Sequence, residues 1–511
     1  MARRKKAAWN WQRRRKRSAT KVAASQEGAP IPRLPSLWFF TISKGQTARA
    51  ICGAWLRPTS MSGQSAVRKQ PAGSLPTEQI LSWGRYPQLA RCYAHKPAWN
   101  DQVPAILKDA APGALLPHGL GRSYGDSCLN AGRELIDCRR LNRILGFDES
   151  TGMLRCESGI SLADILDTFL PKGWFLPVTP GTSFVTVGGA IANDVHGKNH
   201  HCAGTFGDHV HRIALHRSND GLVVCDSENN PDLLHATIGG LGLTGVIAWA
   251  DFQLKRVAGP WIDAETVPFQ SLKTFLDLSH ESNDHFEYTV AWLDCFAGKN
   301  PRGVFYRGNH AAEVGKEFHT KRGPKLPFAL PEWILNRYSV KAFNTAYYAF
   351  HAAKKGAGVV PYGPFFYPLD SIRQWNLLYG RQGFLQYQCV VPEANLEAFE
   401  ELLDLIAHSG MGSFLGVLKQ FGSAAPAGIL SFPRPGLTIA LDFAMRGERT
   451  LKLMQSLDEV VQESGGAIYP AKDARMSSAM FEASFPHWRS FVPYIDPKMS
   501  SSFWRRVTET E

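Results

Sequence analysis

Three glycine-rich segments concentrate the chemistry in this 511-residue chain. The first is Pro117-His118-Gly119-Leu120-Gly121-Arg122-Ser123-Tyr124-Gly125-Asp126, the second Pro180-Gly181-Thr182-Ser183-Phe184-Val185-Thr186-Val187-Gly188-Gly189, and the third Gly239-Gly240-Leu241-Gly242-Leu243-Thr244-Gly245. A glycine admits positive φ and lets backbone N–H groups come close to an anion, so clustered glycines can form a nest for a pyrophosphate. The first segment suits that task, with Ser123 set between Gly119, Gly121 and Gly125. The third contains GxGxxG at Gly240, Gly242 and Gly245. A dinucleotide fingerprint needs a strand before it and a helix after it. Here helix-like Asp232–Thr237 precedes and strand-like Val246–Leu254 follows, which argues against NAD. A tight turn would explain any one segment; three together point to a cofactor.

Other reactive side chains read more blandly on their own. Lys472 lies beside Asp473 and Arg475, which is the pattern of a surface ion pair. Gln386 and Gln388 flank Tyr387, so a strand would put both on one face, as at a solvated edge. His196, His200, His201, His209 and His211 come without a cysteine pair or acidic ligand at familiar spacing, so no metal is expected.

The elements that must position these groups alternate short strands and helices between Gln79 and Leu254. Leu135–Cys138 and Met153–Cys156 read as strands. Leu162, Ile165, Leu166 and Phe169 share one face of a helix that Pro171 and Gly173 terminate. From about Ala258 to Pro470 the composition turns aromatic, which suggests a second domain; Lys299–Tyr362 reads as irregular and mobile. The expected boundaries are 1–75, a basic and disordered extension; 76–257, a cofactor domain; 258–468, a cap; and 469–511, a closing segment.

Charge separates the extension from the rest. The chain carries a formal +12, but residues 1–75 hold 16 Lys or Arg and one acid, leaving 41 basic and 44 acidic residues beyond them. A nucleic-acid enzyme would carry its basic footprint on the folded part, so nucleic acid is not an expected partner. The extension itself suits a polybasic membrane-surface contact, a nucleic-acid arm or a solvated stretch upstream of a start at Met61. Nine scattered cysteines without a CxxC pair read as reduced thiols. No apolar run approaches a membrane span. The expected location is the cytoplasm, with peripheral contact at the inner membrane face.

Together the motifs resemble FAD-linked oxidoreductases of the vanillyl-alcohol-oxidase or p-cresol-methylhydroxylase type. Within that family the chain looks like the branch acting on a lipid-linked ribose in arabinan precursor synthesis. The likeness runs from Leu81 to near Arg505. It rests on Gly119 to Asp126, Val187-Gly188-Gly189-Ala190-Ile191-Ala192, Asp194-Val195-His196-Gly197-Lys198-Asn199-His200-His201, Gly383 to Gln388 and Ala471-Lys472-Asp473-Ala474-Arg475. The resemblance implies an α+β fold: a two-subdomain FAD-binding domain plus a substrate domain with an antiparallel sheet covered by helices. It also implies that Pro117 to Ser127 wrap the pyrophosphate of FAD. Gly181, Thr186, Val187, Gly188, Gly189, Asn193, Asp194, Val195, His196, Ile247 and Tyr469 would hold the remainder. Covalent members carry His where this chain has Arg122, so the flavin is expected to bind non-covalently.

By the same resemblance, Lys472, Tyr124 and His196 are the expected catalytic residues, and Gln386, Gln388, Lys419 and Lys472 line the substrate pocket. FAD would take the hydride, while a lysine beside it stabilises developing charge or holds the substrate hydroxyl. The branch carries Asn and Cys where Thr438 and Ala440 stand here, so the pocket departs from the pattern. The expected activity is oxidation of a sugar hydroxyl, at C2 of a polyprenyl-phosphate-linked ribose, with a short-chain dehydrogenase/reductase partner completing an epimerisation in cell-wall biogenesis. The alternatives are a soluble alditol or aldonolactone oxidase using oxygen, and a catalytically idle flavin-fold binding protein with a basic tail.

Overall fold

The computed structural model describes residues 77–312 and 323–509, so the expectation for residues 1–75 lies outside it. Contacts group Pro71–Glu511 as one unit, and everything below concerns that unit.

The N-terminal part is built on two larger sheets, beside a two-stranded pairing of Trp174–Phe175 with Lys255–Arg256. One is four-stranded, ordered Thr77–Glu78, Cys92–His95, Glu134–Asp137, Leu115–His118. Its last three strands run parallel, and Leu115–His118 delivers the chain directly into the first glycine segment. The other is a five-stranded antiparallel sheet, ordered Ile144–Asp148, Met153–Glu157, Val246–Gln253, Val210–Arg217, Gly221–Asp226. The helix Leu162–Phe169 packs beside it through Leu162, Ile165, Leu166 and Phe169, all buried, as their spacing requires. A capping box of Ser161 with Asp164 starts this helix, and Gly173, at φ +79°, stops the turn that follows.

The C-terminal part centres on an eight-stranded antiparallel sheet. Its order is Gly356–Pro361, Trp261–Phe269, Gly303–His310, Tyr288–Leu293, Gly416–Phe421, Gly436–Ala444, Phe384–Val391, Ala467–Ile468. Three of these strands are sorted by period two. Leu385, Tyr387, Cys389 and Val391, with Leu437, Ile439, Leu441 and Phe443, and Leu418 join one core with the helices Leu396–Ser409 and Glu448–Glu463. Their alternate neighbours must point to the opposite face. The fold is thus mixed helix and sheet, with antiparallel sheets, as expected.

Residues 299–362, expected to be irregular, instead contain the strands Gly303–His310 and Gly356–Pro361 and the 17-residue helix Arg337–Ala353. Glycine, lysine and aromatic residues hid the pattern: the strand is paired on both sides within the sheet, and Asn336 caps the helix by accepting from the Tyr338 and Ser339 amides. No helix among the described residues is long and apolar enough to cross a membrane, and no disulfide joins the eight described cysteines.

Candidate active site

A cavity of about 310 Å³ runs between the glycine loops and the second face of the large sheet. It brings together Pro117 to Tyr124, Ser127, Gly181, Thr186, Gly188, Gly189, Asn193, Val195, His196, Ile247, Gln386, Gln388, Lys419, Tyr469 and Lys472. Four expected residues fall outside this lining. Gly125 packs on the backbone of Asp473, where an added Cβ would sit 1.8 Å from the carbonyl oxygen. Asp126 is paired with Arg506 at 2.7 Å. Val187 is buried in the neighbouring core, and Asp194 accepts from Ser431 Oγ (2.5 Å) and the Gly207 amide (3.0 Å). These four shape the cradle from behind.

The two glycine bends meet: a Cβ on Gly119 would lie 2.4 Å from Thr186 Oγ1. They do different work. At the second bend, the amides of Val187 and Gly188 already donate to Ile160 and Ser158 carbonyls, and Gly189 donates to Thr186 Oγ1. Gly188 is needed because a Cβ there would press on Ser158 at 2.9 Å. At the first bend, the amides of Leu120, Gly121, Arg122 and Ser123 have no partner among the described residues, and Gly121 takes φ +61°. The buried Ser127 hydroxyl beside them is also unpartnered. Buried polar groups without partners require a ligand or water. These donors could hold a diphosphate, whereas the amides of the second bend are engaged within the protein. Arg122 lies over the Trp83 ring, 3.9 Å from its centroid.

The opposite wall is the polar face of the sheet, whose register places Gln386 against Asp442, Gln388 against Ala440 and Lys419 against Thr438. Gln386 donates to Asp442 (2.6 Å), and Gln388 meets His196 Nε2 at 3.0 Å. Both glutamines are buried, so this face is no solvated edge. Lys472 is no surface ion pair either. Arg475 pairs with Asp458 and Asp473 with Arg506, while Lys472 Nζ sits 3.9 Å over the Tyr124 ring. Lys419 donates to the Gly197 carbonyl and Lys198 to that of Phe365.

Burial sets the charge of this wall. Desolvation lowers Lys472, Lys419 and Lys198 each to about 7, with the lysines also repelling Lys419. Burial raises Asp442 to about 7 against the hydrogen bond from Gln386 and the charge of Lys472. His196 is held neutral by burial and the neighbouring cations, and its Nδ1 has no partner among the described residues. Burial raises the Tyr124 hydroxyl, so it stays protonated.

Comparison with known proteins now decides the family. An FAD binding domain family matches residues 93–226. Decaprenylphosphoryl-beta-D-ribose oxidase of Mycolicibacterium smegmatis is 34% identical over 439 residues, covering 82% of this chain and 95% of that protein. The chain belongs to this family. It is therefore an FAD-dependent oxidoreductase acting on CH–OH groups. L-gulonolactone oxidase of mouse, at 29% identity over 26% of this chain and 30% of that protein, and a D-arabinono-1,4-lactone oxidase of Eremothecium gossypii, at 25% over 37% and 36%, match shorter stretches.

Several residues at the cavity were not among the expected site residues. Gly242 and Gly245 of the third glycine segment, for which only the NAD reading was set aside, line the cavity, as do Lys198, Trp83, Trp375 and Leu369. Asp442 lies in a strand whose even positions face the site, and a period-two count from Thr438 and Ala440 would have reached it.

Proposed function

We propose that the chain oxidises a secondary hydroxyl of a phosphate-linked sugar to a ketone, at C2 of a polyprenyl-phosphate-linked ribose. The observation that carries this reading is the convergence of Lys198, Lys419 and Lys472 on one cavity wall with no carboxylate in ion-pair distance among the described residues. Such a wall suits an anionic substrate. Gln386 and Gln388 supply neutral hydrogen-bonding groups for sugar hydroxyls.

We assign residues 76–257 to a two-subdomain FAD-binding part, 258–468 to a substrate part and 469–511 to a segment returning to the first. FAD, when bound, supplies the hydride acceptor. The free amides of Leu120 to Ser123 and the Ser127 hydroxyl would hold its diphosphate, with Gly181, Asn193, Val195, Ile247 and Tyr469 along the rest. Arg122 at the loop offers no covalent attachment, which supports non-covalent binding. Lys472 is the residue that holds or relieves the substrate hydroxyl of its proton: its ammonium titrates near neutrality and it faces the cavity over Tyr124. His196, neutral, fixes Gln388, and Tyr124 seats Lys472. A short-chain reductase would then reduce the ketone from the other face.

Lactone oxidases among the relatives keep a second reading in view, an oxygen-using oxidase of soluble sugars. Anaerobic titration of the yellow protein separates the two. Bleaching by a prenyl-phosphoryl ribose with a 2-keto product supports the proposal. Bleaching only by free alditols or lactones, with peroxide on readmitting air, supports the rival. A colourless protein indifferent to FAD would overturn both.

A further inference from the structure

Among the described residues, Phe328, Trp333 and Tyr338 carry the most exposed large apolar side chains, at 64%, 75% and 82%. All three fall in one short stretch that leads into the helix Arg337–Ala353. Such side chains scattered singly need no explanation, but several together mark a surface that meets something. The turn that carries two of them is closed by its own hydrogen bonds. Asn336 Nδ2 donates to the Trp333 carbonyl, and Ser339 Oγ donates to that of Ile334.

Charge along this stretch is one-sided. Lys325, Arg337, Lys341, Arg373 and Arg381 are all exposed. Between residues 323 and 381 the only acids are Glu332 and Asp370. Glu332 pairs with Arg446 at 3.1 Å, and Asp370 turns inward to accept from Thr182 Oγ1 and the Ser183 amide. Glu448, two residues past Arg446, pairs with Lys452. The stretch is also tied to the active-site cavity. The Leu326 amide donates to the Arg373 carbonyl, the Arg373 amide to that of Pro324, and the Leu330 amide to that of Leu377. The chain so gripped supplies Leu369 and Trp375 to the cavity lining, next to Phe366 and Pro368.

We propose that Phe328, Trp333 and Tyr338 dock this protein on an anionic lipid bilayer. Aromatic rings settle at the level of the headgroups, and Lys and Arg beside them attract anionic lipid. The centre of a protein–protein contact is instead depleted of charge, so rings set among cations suit headgroups better. The docking deepens the proposed function and rests on it for its purpose. A prenyl chain stays in the bilayer while its sugar must reach Lys472, and the docked stretch is bonded to the apolar wall that the sugar passes. The contact differs in kind from any made by the basic residues 1–75, because it depends on insertion of apolar rings.

The test is co-sedimentation of the FAD-loaded full chain with sugar-free vesicles of phosphatidylcholine and phosphatidylglycerol, at physiological salt and at the lipid concentration that binds half the wild type. Partitioning should weaken about tenfold or more in Phe328→Ser/Trp333→Ser, which gives up the apolar contact of two rings. It should weaken about tenfold in Arg337→Glu/Lys341→Glu, which reverses two charges at the surface. These four side chains are exposed, so flavin absorbance and Tm should match the wild type. Should the double serine variant melt early, Trp333→Ser alone replaces it. Residues 1–75 are common to every variant, so contact through them cancels from the comparison. Partitioning unchanged by the serine substitutions overturns the proposal, including the case in which they abolish binding to a protein instead. Because the vesicles carry no sugar, the result is independent of the titration with prenyl-phosphoryl ribose. Docking without bleaching would remove the substrate reading and leave this surface standing.

Discussion

Lys472→Met should make the cofactor-free protein more stable while removing turnover. A lysine whose pKa falls from 10.5 to about 7 on folding costs about 4 kcal/mol at pH 7, at about 1.4 kcal/mol per unit. The contact of its ammonium with the Tyr124 ring returns about 2 kcal/mol. Methionine fills similar volume without the charge. The net gain is about 2 kcal/mol. For a unit of about 440 residues, at about 2 cal/mol/K per residue, this is about 2 °C in Tm. The sign of its pH dependence follows from the direction of the shift. The folded state binds fewer protons than the unfolded between pH 7 and 10.5, so wild-type stability rises through that window, and the variant lacks this rise. The Tm advantage should therefore close by about pH 10. Turnover should fall about 10²–10³-fold, as when one charge-stabilising group is removed, with the visible flavin absorbance retained. Scanning calorimetry at pH 7 and 10 and stopped-flow flavin bleaching read all three effects. A Tm that drops at pH 7, a gap independent of pH, or wild-type turnover would each refute the reasoning.

Ala440 lines the cavity opposite Gln388 where the branch carries a thiol, so inhibitors that form an adduct with that thiol should leave the wild-type chain unmodified by mass spectrometry and label Ala440→Cys. Arg506→Met would strand the carboxylates of Asp126 and Asp473 in a buried setting; loss of one partner of a buried pair costs about 3–5 kcal/mol, and urea unfolding should show that loss with weakened FAD retention. Between pH 6 and 8.5 the three lysines near 7 lose protons while Asp442 gains negative charge. KM for a phosphate-bearing sugar should rise several-fold across that range, and KM for a neutral alditol should change less; equal changes for both would remove the lysines from substrate binding.

How much was legible depended on whether a residue's role was local. The helix over Leu162–Phe169 and the strands at Met153 and Val246 were readable because burial on one face leaves a period in the sequence. The glycine loops were readable as anion sites because backbone freedom is a property of the residue itself. The division of labour between them was not. Whether the Gly188 amide is free depends on the Ser158 carbonyl, a contact made 30 positions away. The surface ion pair that the neighbours of Lys472 suggest does not form for the same reason: Asp473 and Arg475 point to Arg506 and Asp458. Lys198 and Asp442 carried no local signal beyond their place in motif and strand.

The closing segment ties the cofactor cradle to the reacting group. The Tyr124 amide donates to the Ala471 carbonyl, and Gly125 has no room for a Cβ because Asp473 carries its backbone across that point. Arg506 then clamps Asp126 to Asp473 from behind. Residues 124–126 and 471–473 are therefore one rigid piece made from two distant stretches of chain, with the free amides of 120–123 on one side of it and Lys472 on the other. On the proposed reading, a flavin held by those amides would be positioned relative to Lys472 through a few buried hydrogen bonds rather than through a flexible arm. Such an arrangement would meet the condition for an oriented reaction between groups held on either side of it. The same contacts give a role to the buried ion triad of Arg506, Asp126 and Asp473, a costly structure by itself.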